Sequence, residues 1–347
     1  KMSDTIRVGM IGYGYASKTF HAPLISGTPG MTLAAVSSSD ERKVQADWPM
    51  VSVVADPTGL LSNPDIDLIV IATPNDSHFP LAKAALEAGK HVVVDKPFTV
   101  TLSQARRLEA SARRCGRLLS VFHNRRWDSD FLTLKSLIHE GLLGEVGYVE
   151  SHFDRYRPEV RNRWREQAGP GSGIWYDLAP HLLDQAVNLF GLPVSMTVDL
   201  AQLRPGAQTT DYFHAVLSYP QRRIVLHGTM VAAAESARYI IHGTRGSYVK
   251  FGLDPQEDRL KSGERLPQED WGYDMRDGVV TRVEGEELVE ETLLTMPGNY
   301  PAYYAAIRDA LNGTGENPVP ASQAIQIMEL IELGIESAKH RATLCLA

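Results

Sequence analysis

Short apolar runs bounded by turn residues fill the first third of the chain. Residues 6–11, 31–36, 51–55, 67–72, 92–94 and 118–122 each read as a strand. Between them lie helical stretches: one ending near Ser26, one over 77–88 closed by Gly89, and one from 102 to about 114. Strands alternating with helices predict a doubly wound parallel sheet over residues 1–125. After a helix near 130–140 the pattern changes. Residues 146–153, 195–203, 212–219, 223–231, 238–242 and 248–251 read as strands that follow one another, with Pro220-Gln221 and 243–246 as hairpin turns. That order predicts an α+β domain over 126–347, a mostly antiparallel open sheet with helices on one face. Its other face is expected to be a dimer surface, since apolar sheet faces are seldom left bare. Residues 252–300 read as polar and irregular, and the last helices as 303–311 and 322–339.

The length supports this division. At 347 residues the chain exceeds the roughly 250–300 over which one core keeps growing. A hydrophobic share of 43% with 22% charged residues is ordinary for a soluble protein. The net charge of -7 argues against nucleic acid as a partner. No apolar run reaches the ~20 residues needed to span a bilayer, so no membrane partner is expected. Cys115 and Cys345 stand far apart, in no metal-ligand spacing, and form no disulfide framework. No metal site is read from the sequence. The sequence opens without a charged-then-apolar signal, and the expected location is the cytoplasm. Lys1, ahead of Met2, reads as a residue left from expression.

Three stretches of the first domain carry chemistry. Gly12-Tyr13-Gly14-Tyr15-Ala16-Ser17 follows a strand and opens a helix, the context a dinucleotide fingerprint requires. Gly12 permits the tight turn, and Gly14 lets backbone approach a pyrophosphate at the helix N-terminus. Ser17 replaces the third glycine with another small residue. The second strand runs into Ser37-Ser38-Ser39-Asp40-Glu41-Arg42-Lys43. Hydroxyls backed by Arg42 and Lys43 suit the extra phosphate of NADP, whereas Asp40 could bind the ribose diol of NAD or simply cap a helix. NADP is favoured and NAD stays open. The fourth strand ends in Thr73-Pro74-Asn75-Asp76-Ser77-His78, a turn expected to line the cofactor. The fifth strand stops at Asp95-Lys96-Pro97, at the carboxyl end where open α/β sheets place ligands. The plainer reading of Lys96 is a surface charge at a strand end.

In the second domain, Arg155 to Arg165 holds five arginines in eleven residues. Guanidinium forks bind phosphate or carboxylate, and they also build ion-paired loops. Gly171 to Phe190 contains Asp177 and His181, four apart and hence on one helical face. Pro180 belongs in a first turn, so the helix is expected to begin near Asp177. An N-cap aspartate and a core histidine form the competing account of that pair.

Together these residues resemble the oxidoreductase family typified by glucose–fructose oxidoreductase and myo-inositol dehydrogenase. Gly12 to Ser17, Thr73-Pro74-Asn75, Asp95-Lys96-Pro97 and Asp177 with His181 fall in the family's order and spacing, and the resemblance covers the whole chain. The stretch His123-Asn124-Arg125-Arg126-Trp127-Asp128 and the run Arg155 to Arg165 are most similar to its NADP-dependent scyllo-inositol dehydrogenase branch. The resemblance implies hydride transfer between a nicotinamide cofactor and a secondary alcohol of a cyclic polyol or sugar. It carries catalytic roles to Lys96 and His181, with Asp177 as the accompanying carboxylate. Cofactor contacts are expected from Gly12, Gly14, Tyr15, Ala16, Ser37, Ser38, Lys43, Thr73, Pro74, Asn75, His78, Asp95, Lys96 and Asn124, with Trp164 and Arg165 near the nicotinamide. His123, Arg157, Arg163 and Tyr300 are expected polyol contacts, and a homodimer or homotetramer is expected through the C-terminal sheet. Asp95 stands where the family usually has glutamate, and Ala179 where glycine is common; neither change removes a catalytic group. A non-catalytic nucleotide sensor, and a sugar–sugar oxidoreductase that keeps its NADP bound, are the competing functions.

Overall fold

The computed structural model describes residues 5–347, so Lys1 and Met2 lie outside the described residues. The chain forms two compact units. The first takes residues up to Asn124 together with Gln256–Trp271 and Asn299–Ile325. The second takes Arg125–Pro255, Gly272–Gly298 and Gln326–Ala347. The later stretches that join the first unit are ones the linear reading counted after residue 126.

The first unit is built on six strands: β1 (Ile6–Ile11), β2 (Met31–Ser37), β3 (Ser52–Val54), β4 (Leu68–Ile71), β5 (His91–Asp95) and β6 (Leu119–Phe122). They lie in the order β3-β2-β1-β4-β5-β6, and every pair is parallel. Such strands are covered on both faces, which is why they read as unbroken apolar runs. Val8, Met10, Leu68 to Ile71 and Val92 to Val94 are all fully buried. Strand order reverses between β1 and β4, and ligands bind beyond the carboxyl ends at such a switch point. The helix Leu102–Cys115 is stopped at both ends by its own sequence. Thr101 and Gln104 form a capping box, and Gly116 closes it at φ 63°.

Pieces from far along the chain complete this unit. The helix Pro301–Leu311 brings Tyr303 and Tyr304 onto β6 and the first helix. The Tyr303 hydroxyl is 2.7 Å from Ser120 Oγ, and its ring meets Phe122 edge-on at 5.0 Å. Arg308 donates to the Pro29 carbonyl at 2.8 Å. Val319 accepts the Val121 N–H at 3.2 Å, on the outer edge of β6.

The second unit carries a nine-stranded sheet. Its strands are β7 (Val146–Asp154), β8 (Ser195–Ala201), β9 (Tyr212–Tyr219), β10 (Arg222–Thr229), β11 (Tyr239–Gly243), β12 (Gly246–Lys250), β13 (Gly278–Glu284), β14 (Glu287–Leu293) and β15 (Leu344–Cys345). The order is β14-β13-β12-β11-β7-β10-β9-β8-β15, antiparallel throughout except for the parallel pair β7–β10. Phe153, Phe213, Leu217, Met196 and Tyr248 are buried on its inner side. The Trp175 indole donates to the Ile331 carbonyl at 3.0 Å. Buried charges there come in pairs, as burial demands. Arg238 lies 3.1 Å from Asp130, Lys250 3.2 Å from Asp274, and Arg126 grips Asp184 through two 2.8 Å hydrogen bonds.

Two expectations are corrected. Residues 252–300 are not uniformly irregular: they hold the helix Gln256–Lys261 and the β13–β14 hairpin. Most of β14 is exposed, so it never shows the alternation that marks a half-buried strand. Nor does a helix begin at Asp177. A short helix, Ile174–Asp177, ends there, and Leu178 at φ -112° separates it from the helix Ala179–Phe190. Pro180 sits in the first turn of that second helix, as its missing N–H requires.

Candidate active site

The fingerprint turn leaves β1 at Gly12, whose φ is +90° and whose N–H donates to the Ser37 carbonyl at 2.9 Å. A Cβ there would stand 3.0 Å from the Ala72 carbonyl oxygen and 3.0 Å from Thr73 Cγ2, so only glycine fits. Gly14 is the opposite case: a Cβ would meet nothing within 4 Å. The loop is thus pinned against the end of β4 at one glycine and open at the next, which suits a nucleotide pyrophosphate lying over it. Helical backbone begins at Tyr15 and Ala16 and runs to Ser26. Ser17, in the third glycine position, is fully buried, which its small side chain allows.

At the end of β2, Ser37 is buried and Ser38 is half-buried. Asp40 caps the helix Glu41–Asp47 by accepting the Lys43 N–H at 3.2 Å, while the Ser38 hydroxyl accepts the Asp40 N–H at 3.1 Å. One Asp40 oxygen is therefore committed to a helix cap, and Arg42 and Lys43 are exposed beside it.

Beyond β4 and β5 the turns are tied together by one imidazole. His78 is buried, with Nε2 2.9 Å from the Thr73 carbonyl and Nδ1 2.8 Å from the Pro97 carbonyl. Burial lowers its pKa, against the opposing pull of Asp95 and of those carbonyls. The Thr73-Pro74-Asn75 turn and the Lys96–Pro97 segment, whose peptide bond is cis, are thereby held at a fixed spacing.

A second buried histidine stands behind Asp95. His21 Nδ1 is 2.6 Å from the Tyr304 hydroxyl, its Nε2 is 3.7 Å from Asp95 Oδ1, and its ring packs on Phe122 at 4.3 Å. Asp95 Oδ1 also accepts the Lys96 N–H at 2.9 Å. Burial alone would raise the Asp95 pKa, but His21, then Lys96 and His78, bring it below the usual carboxylate range. The carboxylate therefore stays charged next to the Lys96 backbone. His123 and Asn124 follow β6 and are buried, and Tyr300 is buried against Phe20 at 6.0 Å.

In the second unit, His181 is buried on the helix Ala179–Phe190, and its N–H donates to the Leu178 carbonyl at 3.1 Å. Asp177, half-buried, lies 3.4 Å from Arg165 Nε. Two arginines of the run, Arg163 and Arg165, are ion-paired here. Arg163 is 3.5 Å from Glu166, Arg165 stacks on Trp164 at 4.6 Å, and the Arg157 carbonyl accepts from Arg204 at 3.1 Å. Burial lowers the Arg163 pKa, with Glu166 opposing. The structure thus gathers Gly12, Gly14, Thr73, His78, Asp95 and Lys96 within the first unit, and Arg157, Arg163, Arg165, Asp177 and His181 within the second. The His21–Tyr304 contact was not legible in the sequence: its partners are 283 residues apart.

Both halves of the chain match models of a single oxidoreductase family. Residues 6–123 match its NAD-binding Rossmann fold and residues 135–346 its C-terminal alpha/beta domain. The Escherichia coli oxidoreductase YdgJ is 84% identical over 346 residues, covering 100% of each chain. The Bacillus subtilis scyllo-inositol 2-dehydrogenase (NADP(+)) IolW is 38% identical over 345 residues, covering 99% of this chain and 96% of its own. Among solved structures, the oxidoreductase YPO2259 of Yersinia pestis superposes with a TM-score of 0.97 at 70% identity, covering 100% of this chain and 98% of that one. With a Rossmann sheet, a glycine turn at its switch point and a second α/β unit, the chain belongs to the Gfo/Idh/MocA oxidoreductase family.

Proposed function

We propose that this protein is an NADP(H)-preferring dehydrogenase that oxidises a secondary alcohol of a cyclic polyol or sugar, scyllo-inositol being the reference substrate. The observation that carries the reading is Lys96 at the carboxyl end of β5, braced by a charged, half-buried Asp95 and by the His78 clamp. The identity to IolW, named as an NADP-dependent scyllo-inositol dehydrogenase, supports the substrate class and the cofactor. In this reading the first unit binds the dinucleotide, and the second recognises substrate and forms a homodimer or homotetramer through its sheet. Free thiols at Cys115 and Cys345 suit a reducing cytoplasm.

The bound nicotinamide supplies the hydride acceptor. The chain's own groups handle the proton and the charge. His181 takes the proton from the substrate hydroxyl, and Asp177 supports it. Lys96 sets positive charge at the oxygen as it becomes a carbonyl. Ser38, Arg42 and Lys43 hold the extra phosphate of NADP, while Thr73, Asn75 and Asn124 line the nucleotide. Trp164 and Arg165 pack by the nicotinamide, and His123, Arg157, Arg163 and Tyr300 contact polyol hydroxyls. The test is a screen of inositols and aldoses with both oxidised cofactors, and of the corresponding lactones with both reduced ones, read by absorbance of the reduced nicotinamide. Turnover with a cyclic polyol and a higher kcat/KM for NADP is expected. No turnover of either cofactor with any of these compounds, with nucleotide binding intact, would make the protein a sensor instead.

A further inference from the structure

Away from these residues, the outer face of the nine-stranded sheet, the face proposed above to pair subunits, carries an ordered row of imidazoles. On β7, Tyr148, Glu150, His152 and Asp154 alternate with buried Val149, Ser151 and Phe153, so all four share one face. Register sets His152 beside His227 of β10, and His227 beside His214 of β9.

The contacts are specific. His152 Nδ1 is 2.9 Å from Asp154 Oδ2, and its Nε2 is hydrogen-bonded to Glu150 Oε1. Glu150 is itself held by the Tyr148 hydroxyl at 2.7 Å. His227 Nε2 stands 3.8 Å from Asp154 Oδ1, and His227 Nδ1 is 3.0 Å from His214 Nδ1. The Asp154 side chain is only 7% exposed, yet its Oδ1 has no hydrogen-bond partner among the described residues.

One donor atom each from His152, Asp154 and His227 lies within 4.8 Å of the others. A tetrahedral Zn2+ with bonds of about 2.0–2.1 Å sets its donors roughly 3.4 Å apart, so small side-chain rotations close the set. Two imidazoles and one carboxylate are the ligands of a borderline divalent ion, not of Mg2+ or Ca2+, which take oxygens. Each imidazole already has an outer partner that would fix its tautomer. With Nε2 of His227 on the ion, its Nδ1–H donates to His214; with Nδ1 of His152 on the ion, its Nε2–H donates to Glu150. The Nδ1 proton that His152 shares with Asp154 leaves to solvent as the ion enters.

We propose that His152, Asp154 and His227 form a binding site for a borderline divalent metal ion, Zn2+ above all, with His214 and Glu150 orienting the two ligand imidazoles. The ion would clamp β7 to β10, the parallel pair in the sheet.

The test uses the full chain, stripped with chelator and titrated with Zn2+ against a chromophoric competitor. Co2+ then reports ligand geometry through its visible absorption. One ion per chain with Kd below about 10 µM is expected. His152→Ala and His227→Ala should each weaken binding at least ~100-fold, and His214→Ala about 10-fold. Lys96→Ala and Cys345→Ser should leave it unchanged. Should the alanine variants misfold, His227→Gln keeps size and polarity and should also lose the ion. Binding weaker than about 1 mM, or the same affinity in a folded His152/His227 double variant, overturns the proposal and leaves an ion-pair ladder on the sheet face.

Discussion

Replacing His21 with phenylalanine isolates the contacts behind Lys96. The substitution keeps an aromatic ring on Phe122, where the imidazole packs at 4.3 Å, so little packing is lost. Two interactions go. The Tyr304 hydroxyl, in a fully buried residue, loses its 2.6 Å partner, and Asp95 loses an imidazole 3.7 Å away. A stranded buried hydroxyl costs about 1–3 kcal/mol, and a half-buried carboxylate that loses one of its partners adds to that, for a total of about 2–4 kcal/mol. Native-state amide exchange, read on peptides covering β5 and β6, measures it locally. Exchange there should accelerate about 30- to 900-fold at neutral pH. The pH dependence has a definite sign. The lowered Asp95 pKa means its share of stability is complete above the ordinary carboxylate range near pH 4, and is lost as pH falls through the lower folded value. The Asp95 part of the gap between wild type and variant should therefore close as pH falls through that lowered value, leaving the Tyr304 part. Tyr304→Phe breaks the same contact from the other side, removing the hydroxyl and leaving His21 Nδ1 without it, and should cost about 1–3 kcal/mol with no share from Asp95. A His21→Phe protein whose β5 and β6 protection stays within about 0.5 kcal/mol of wild type would refute the reasoning.

Three further outcomes are expected. Lys96→Ala should retain NADP affinity, measured by fluorescence titration, while turnover falls about 10²–10⁴-fold; a loss under tenfold removes Lys96 from the chemistry. Ser38→Asp should shift the ratio of NADP to NAD affinity toward NAD, and an unchanged ratio would assign selection to another group. Gly12→Ala puts a Cβ 3.0 Å from backbone oxygen at φ +90°, so nucleotide binding should fall sharply and stability drop by about 1–3 kcal/mol in thermal unfolding.

The elements that the sequence revealed are those whose signal is local. β1 with Gly12, and β5 with Asp95-Lys96-Pro97, are apolar runs ended by residues that cannot continue a strand, and both ends lie where they were expected. The hairpin β13–β14 was missed because most of its second strand faces water and so lacks a pattern. The break at Leu178 was missed because Pro180 is equally content in a first turn wherever that turn begins. What brings distant residues together left no local trace. Nothing near His21 announces Tyr304, and nothing in the spacing of His152, His214 and His227 announces a shared row, because strand register is a property of the assembled sheet.

The Ser120–Tyr303 contact spans 183 residues and has a temporal meaning. At translation rates of about 5–20 residues per second, the outer edge of β6 waits roughly 10–40 s for the helix that covers it. Until then the side of Phe122 that Tyr303 covers and the Val121 N–H on the outer edge lack their partners, so the ribosome delivers an unfinished nucleotide domain. A fragment cut after Asn124 inherits that same incompleteness permanently.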